Sequence, residues 1–283
     1  MMNKLTKYAN AKINLTLDVL GKRDDGYHNL KMIMAEIPLA DVVTLTKQNG
    51  ISVSSNLTFL PNNEKNIAYQ AAKVFLEETG VSGGVMIQIE KNIPVSAGLA
   101  GGSTDAAAVL HGLNELYETN LPLEQLQKMG DRIGKDVPFC LQGGVALAEG
   151  TGEVLTALAN LPPCFIVLVK PKYINVSTKE IFSSLQASKI ELHPDTTGAV
   201  KALEQGDIYG VCRRMYNVLE EVTSKKHPLI SELKSVMLEE GALGSVMSGS
   251  GPSVFGIFDS VEAAQQAKTR LTTYDQQVFL MKV

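Results

Sequence analysis

An alternating strand pattern that runs into glycines, hydroxyls and an alanine-rich helix constrains this chain more than any other feature: PVSAGLAGGSTDAAAVL, from Pro94 to Leu110. Val85, Ile87 and Ile89 alternate with Met86, Gln88 and Glu90, the period of a half-buried strand, and Pro94 marks where that strand gives way to a loop. Ala106, Val109, Leu110, Leu113 and Leu116 then recur at helical spacing, so the glycines stand just before a helix N-terminus. A helix start offers unpaired N–H groups and a partial positive charge, and Gly98, Gly101 and Gly102 let amides approach an anion with no Cβ in the way. The bland reading of such a run is a turn that packs a helix tightly on a strand. Two better-known phosphate motifs do not fit: Gly102 is followed by Ser103, Thr104 and Asp105 rather than by Lys, and the G-x-G-x-x-G spacing is absent.

At 283 residues the chain has room for one large or two modest domains, and two are expected. A hydrophobic fraction of 45%, a charged fraction of 20% and a net charge of -4 exclude a disordered or fibrous chain. No lysine-arginine run is present, so nucleic acid is not an expected partner. Cys140, Cys164 and Cys212 are few, odd in number and far apart, which reads as reduced, buried thiols rather than a disulfide framework or metal cluster. No apolar run follows Met1 to Tyr8, and Phe165 to Val169 is too short to span a bilayer, so a cytoplasmic protein with no membrane partner is expected.

Along the chain, Ala11, Ile13, Leu15, Leu17 and Val19 alternate with Lys12, Asn14, Thr16 and Asp18, which puts Lys12 and Asn14 on one face of a first strand. A second strand is expected around Leu30 to Ala35, and Asn49-Gly50 between Val42 to Thr46 and Ile51 to Ser54 signals an antiparallel hairpin. Helices are expected over Glu64 to Thr79, from Pro122 to a stop at Gly134, and over Lys179 to Leu185, Thr196 to Glu204, Ile208 to Val222, Pro228 to Glu239 and Val261 to Leu271. Further strands are expected at Val145 to Ala148, Phe165 to Val169, Val254 to Phe258 and Val278 to Met281. Leu161-Pro162-Pro163 breaks the chain into an N-terminal domain, 1–160, and a C-terminal domain, 161–283. Strands and helices mixed without regular βαβ alternation indicate an α+β fold. A second glycine-rich element, Ser248 to Ser253, precedes the strand at Val254.

The N-terminal block AKINLTLDVLGKRDDGYHNL, the loop PVSAGLAGGSTDAAA, the segment GKDVPF and the late MSGSGPSVFGIF, in that order over nearly the whole length, resemble the GHMP small-molecule kinases. The resemblance implies an N-terminal domain like the second domain of ribosomal protein S5, a ferredoxin-like C-terminal domain, and ATP with Mg²⁺ as cofactors. It places the ATP phosphates on Pro94, Val95, Ser96, Ala97, Gly98, Leu99, Ala100, Gly101, Gly102, Ser103 and Thr104, with Asn66 near the adenine or ribose. Lys12 and Asp136 fall on the catalytic pair. Tyr27 and His28 fall on positions that hold a cytosine, and the resemblance implies as substrate a cytidine diphosphate-linked methylerythritol, phosphorylated on its 2-hydroxyl. Asn14, Phe182, Ser250 and Gly251 complete the expected substrate contacts, and a monomer or homodimer is implied.

Those roles suit phosphoryl transfer, which needs an oriented hydroxyl and charge neutralisation more than covalent help. Asp136 would accept or orient the hydroxyl proton, and Lys12 would offset negative charge on the transferred group. A neutral His28 ring carries one donor and one acceptor, as a cytosine edge requires, while Tyr27 and Phe182 could stack on the base. Mg²⁺ would be held mainly by the phosphates, and Ser103 or Thr104 could reach it or could instead cap the helix. Asp105 suits the helix dipole but would repel a triphosphate unless it points aside or faces the metal. Many members of the family carry glycine where this chain has Ala100, for which an ordinary negative φ is expected. Two other readings stay open: another GHMP kinase of mevalonate or homoserine type, and a silent nucleotide-binding module. Each lone residue also has an ordinary reading, Lys12 as a solvated strand lysine and Asp136 as a turn aspartate.

Overall fold

The computed structural model describes residues 3–185, 187, 190–274 and 276–283. Two compact units emerge, one of residues 1–11, 39–94 and 100–143 and the other of residues 12–38, 95–99 and 144–283. Two long strands, β1 (Lys4–Lys22) and β2 (His28–Gln48), begin in one unit and end in the other.

In the first unit the later half of β2 pairs antiparallel with β4 (Gly84–Glu90), Val42 opposite Glu90 and Gln48 opposite Gly84. The short β3 (Ile51–Ser55) runs parallel to β4, so the hairpin expected at Asn49-Gly50 does not form. The turn itself is there, with Gly50 at φ 72°, but β4 occupies the edge of β2 that a hairpin partner would use. The Val85 amide donates to the Gly50 carbonyl at 2.9 Å, which fixes this alternative pairing.

Helices α1 (Ile67–Thr79) and α2 (Gly101–Leu116) lie against that sheet, and α3 (Leu123–Ile133) and α4 (Val137–Gln142) pack on them. Helix α1 starts three residues later than expected from Glu64, because Asn66 caps it by accepting from the Ala68 amide at 2.9 Å. Pro122 is the N-cap of α3 rather than its first helical residue, and Gly134 ends the helix in extended backbone, its amide donating to the Gly130 carbonyl at 2.9 Å. Val43, Leu45, Val85 and Ile87 of the sheet pack with Ala71, Ala72 and Phe75 of α1 and Ala106, Val109, Leu110 and Leu113 of α2, all buried. Removing the fully buried Phe75 ring would cost about 3–5 kcal/mol, since a close-packed core collapses only partly around a cavity.

In the second unit the early half of β2 pairs antiparallel with β5 (Val145–Gly150), which also pairs with β6 (Val154–Ala157). A separate antiparallel sheet has the order β11-β7-β10-β9, formed by β7 (Phe165–Lys170), β9 (Gly244–Met247), β10 (Val254–Phe258) and β11 (Gln277–Lys282). Helices α9 (Leu229–Glu239) and α10 (Val261–Thr272) pack against it through Leu233, Met237, Ala264 and Leu271. Among the described residues the remaining α-helices are α5 (Thr178–Ser184), α6 (Thr196–Glu204), α7 (Ile208–Cys212) and α8 (Val218–Lys226). One helix was expected over Ile208 to Val222, but Tyr216 and Asn217 form a short β8 parallel to Thr16 and Leu17 of β1. The buried Asn217 side chain accounts for the break. Its Oδ1 accepts from the Leu219 amide at 3.0 Å, and its Nδ2 donates to the Met247 and Gly249 carbonyls at 2.8 Å each. Those bonds fix a helix start where the apolar pattern alone would run on.

Candidate active site

The loop between β4 and α2 takes a left-handed conformation at every second residue: Ser96 at φ 53°, Gly98 at 74° and Ala100 at 58°. Such alternation turns successive N–H groups toward one side, the geometry of an anion-binding nest. Ala100 therefore does not hold the ordinary negative φ expected of it. It is the N-cap of α2, it supplies no capping side chain, and the first intrahelical bond runs from the Thr104 amide to its carbonyl at 2.9 Å. The amides of Gly101, Gly102 and Ser103 precede that ladder and are left to bind something else. Neither Ser103 nor Thr104 caps the helix: the Thr104 hydroxyl donates to the Gly101 carbonyl at 2.9 Å.

Strand β1 presents Lys12, Asn14, Thr16 and Asp18 along one face, and that face is buried rather than solvated. Polar groups so placed must find partners. The Lys12 ammonium donates to Asn14 Oδ1 at 2.7 Å, and its backbone amide donates to the Leu99 carbonyl at 3.2 Å, which ties Lys12 to the glycine loop. Asn14 Nδ2 contacts Met32 Sδ at 3.3 Å, Thr16 Oγ1 accepts from the Ile33 amide at 3.1 Å, and Asp18 Oδ1 lies 2.7 Å from His193 Nδ1. The expected shared face of Lys12 and Asn14 is real, and the reading of Lys12 as a solvated lysine is excluded by its 5% exposure.

The two glycine-rich loops meet. Ser248 Oγ donates to the Gly98 carbonyl at 2.9 Å, the Ser253 amide donates to the Ala97 carbonyl at 3.3 Å, and the Gly251 amide donates to the Ser248 carbonyl at 2.9 Å. Ser250 is buried, with its hydroxyl 2.9 Å from that of Thr178, the first residue of α5. Four residues on, Phe182 lies against His28, ring centroids 5.3 Å apart and planes tilted by 32°. Burial, and after it the Lys22 charge, lowers the His28 pKa, which keeps its ring neutral near pH 7. Tyr27 is exposed, and its amide donates to Asp25 Oδ1 at 3.0 Å.

Thr178 and Asn217 escaped the sequence reading, although Ser177-Thr178-Lys179-Glu180 carries a helix-start signature. Ser177 caps α5 by accepting from the Glu180 amide at 3.4 Å.

Asp136 stands at the N-cap of α4, half-buried, two residues after Gly134. A Cβ on Gly134 would lie 3.3 Å from Ile67 and 3.8 Å from the Ser103 hydroxyl, and one on Gly102 would lie 3.2 Å from Ile67. The segment leading to Asp136, the start of α1 and the start of α2 are thus packed together. Asn66 adjoins that point, but its side chain is engaged as a cap and through Nδ2 to the Pro61 carbonyl at 2.8 Å. Asp105 points aside, its Oδ2 accepting from Lys91 Nζ at 2.7 Å. His111 Nε2 lies 2.9 Å from the Leu141 carbonyl, and Cys140, Cys164 and Cys212 are free thiols, of which Cys164 and Cys212 are buried and Cys140 is partly exposed. Among the described residues no cluster of three or more His, Cys, Asp or Glu could hold a metal ion, and no helix is long and apolar enough to cross a membrane.

The family model described as GHMP kinases N terminal domain matches residues 66–144, and that described as GHMP kinases C terminal matches residues 199–276. The chain belongs to the GHMP kinases, with their α+β fold, and membership of a kinase family carries ATP use with it. A protein of Clostridium novyi named 4-diphosphocytidyl-2-C-methyl-D-erythritol kinase is 52% identical over 259 residues, 91% of this chain and 92% of that one. A protein of the same name from Alkaliphilus metalliredigens is 46% identical over 283 residues, 99% and 97% of the two chains. A crystal structure of 4-(cytidine 5'-diphospho)-2C-methyl-D-erythritol kinase matches with a TM-score of 0.84 at 33% identity over 98% of each chain. Homoserine kinase from Cytophaga hutchinsonii, at a TM-score of 0.79 and 22% identity over 100% and 96% of the chains, shares the fold.

Proposed function

We propose that this chain transfers the γ-phosphoryl group of ATP to the 2-hydroxyl of 4-diphosphocytidyl-2-C-methyl-D-erythritol, a step of non-mevalonate isoprenoid precursor biosynthesis. The buried Lys12–Asn14 hydrogen bond beside the Leu99 carbonyl carries the reading, because a lysine held out of water next to a phosphate nest is placed for charge neutralisation. Relatives of that name over nearly the whole length support the substrate. Residues 94–104 receive the triphosphate through the amides at the start of α2, with Asn66 on the nucleoside side. Asp136 orients the hydroxyl and takes its proton, and Lys12 offsets the charge that develops on the transferred group. Asn14 holds the reacting end of the substrate. His28 reads the cytosine edge, Tyr27 and Phe182 stack on the base, and Ser250 and Gly251 flank the substrate from the second glycine loop.

Mg²⁺ fits this site as a companion of the triphosphate: no acidic cluster competes for it among the described residues, and Ser103 Oγ can supply an oxygen. When bound it neutralises phosphate charge. The domain division at 160/161 stands with this proposal, supported by family models that fall on either side of it. The same reading puts the protein in the cytoplasm, as a monomer or homodimer with no nucleic-acid partner.

ADP release is expected with 4-diphosphocytidyl-2-C-methyl-D-erythritol and not with mevalonate, homoserine or galactose. Turnover of only one of the latter three overturns the substrate. Asp136→Ala should abolish turnover while ADP still binds. A silent binding module would show no turnover in either form.

A further inference from the structure

Lys91, at the end of β4, reaches beneath the first turn of α2 and holds two carboxylates at once. Its ammonium contacts Asp41 Oδ2, donates to Asp105 Oδ2 at 2.7 Å and lies 3.4 Å from the Gly101 carbonyl. The three side chains are almost wholly buried, at 4% exposure for Lys91, 0% for Asp41 and 6% for Asp105. The backbone on either side is pinned as well: Asp41 Oδ1 accepts from the Asn92 and Ile93 amides at 2.5 and 2.8 Å, and the Lys91 amide donates to Asn56 Oδ1 at 2.8 Å. A Cβ on Gly101 would lie 3.4 Å from Lys91 Nζ, so the ammonium is packed directly against the helix start.

Two features separate this cluster from an ordinary structural ion pair. Buried salt bridges contribute little net stability, because desolvation offsets attraction. Here two acids share one base, and Asp105 Oδ1 is buried with no hydrogen-bond partner. Asp105 also lies four residues after Gly101, one helical turn into the element whose amides are free. A carboxylate there works against an incoming triphosphate unless a cation draws it away.

We propose that Lys91 is a positioning residue for the nucleotide: by drawing Asp105 and Asp41 together under Gly101, it keeps acidic charge off the phosphate nest and fixes the turn that binds the triphosphate. This rests on the reading of residues 94–104 as the ATP loop. Removing the ammonium leaves Asp105 facing Asp41 with no cation between them and takes away the group that pins the Gly101 turn. Replacing Asp105 by Asn at the same time leaves Asp41 as the one carboxylate of the cluster, its Oδ1 still accepting from the Asn92 and Ile93 amides.

The test compares wild type, Lys91→Met, Lys91→Arg, Asp105→Asn and the double variant Lys91→Met/Asp105→Asn, with ADP and CMP affinities by calorimetry, KM and kcat for each substrate, and circular dichroism for folding. Lys91→Met is expected to weaken ADP binding and raise KM for ATP at least tenfold, with CMP affinity within twofold of wild type. The double variant is expected to recover most of the ADP affinity, and Asp105→Asn to stay within twofold. Unchanged ADP affinity in a folded Lys91→Met, or a double variant no better than the single one, overturns the proposal. If Lys91→Met does not fold, Lys91→Arg decides: a displaced cation should raise KM for ATP and leave kcat, and an unaltered KM counts against the role. Wild-type protein that binds CMP but no ADP would instead remove the ATP-loop reading on which the proposal rests.

Discussion

The Ser248 hydroxyl donates to the Gly98 carbonyl at 2.9 Å, and a Cβ on Gly98 would lie 2.2 Å from the Ser248 carbonyl oxygen. Two loops 150 residues apart in sequence therefore approach backbone to backbone, which only glycine permits at that spot. With φ at 74°, an alanine at position 98 is strained in its own backbone as well as in space. Gly98→Ala is expected to destabilise the protein by roughly 2–5 kcal/mol, about 1–2 from the left-handed conformation and about 1–3 from overpacking. Urea unfolding measures it, and ADP affinity should fall in parallel as the nest is distorted.

The opposite change is expected at position 100. Ala100 holds φ 58° with a Cβ in place, so Ala100→Gly removes a left-handed penalty of about 1–2 kcal/mol and adds back about 0.5–1 kcal/mol of chain entropy. The net is a gain of up to about 1.5 kcal/mol, seen as a Tm higher by up to about 5 °C with ADP affinity kept. A lower Tm would show that the Ala100 methyl group packs usefully.

The chemistry of this chain was more legible than its pairing. Alternation and helical spacing located β4, α2, α6 and β10 because those elements bury one regular face or run continuously apolar. Asn49-Gly50 misled because a dipeptide specifies a turn, while the strand that follows is free to choose its partner; β3 chose β4. The break at Asn217 was invisible because it depends on the Met247 and Gly249 carbonyls, thirty or more residues away. The left-handed Ala100 could not be read either, since composition does not report φ. Lys12 and Asn14 stood out through their shared strand face, but their burial, which makes them functional candidates, belongs to tertiary structure. Lys91 and Asp41 were not singled out at all, because the contact that joins them spans fifty residues of sequence.

Burial raises the Asp105 pKa from 3.8 to about 7, with Lys91 opposing the shift and Asp41 reinforcing it. Between those two values the folded chain keeps a proton that the unfolded chain has released. Stability therefore falls as pH rises from about 4 to about 7 and levels off above that. Each pKa unit carries about 1.4 kcal/mol, so the slope is measurable. Asp105→Asn should flatten it. Urea midpoints at pH 5 and pH 8 should differ clearly in wild type and far less in Asp105→Asn, and equal pH slopes would place the proton elsewhere.

The contact between His28 and Phe182 makes a prediction about the substrate rather than the fold. Their rings lie 5.3 Å apart and are tilted by 32°, close enough to interact directly. Phe182→Ala is expected to raise KM for the cytidylyl substrate about tenfold, in keeping with roughly 1–3 kcal/mol for one base stacked on an aromatic ring, and to leave KM for ATP unchanged. His28 is neutral near pH 7 because burial and the Lys22 charge hold its pKa below 6.5. Acidification protonates it and replaces its acceptor with a donor. KM for the cytidylyl substrate should therefore climb as pH falls through a point below the ordinary histidine value in wild type while KM for ATP stays flat. In His28→Gln, which keeps a donor and an acceptor but does not titrate, the climb should disappear. A rise of equal size in both proteins would assign the pH dependence to another group.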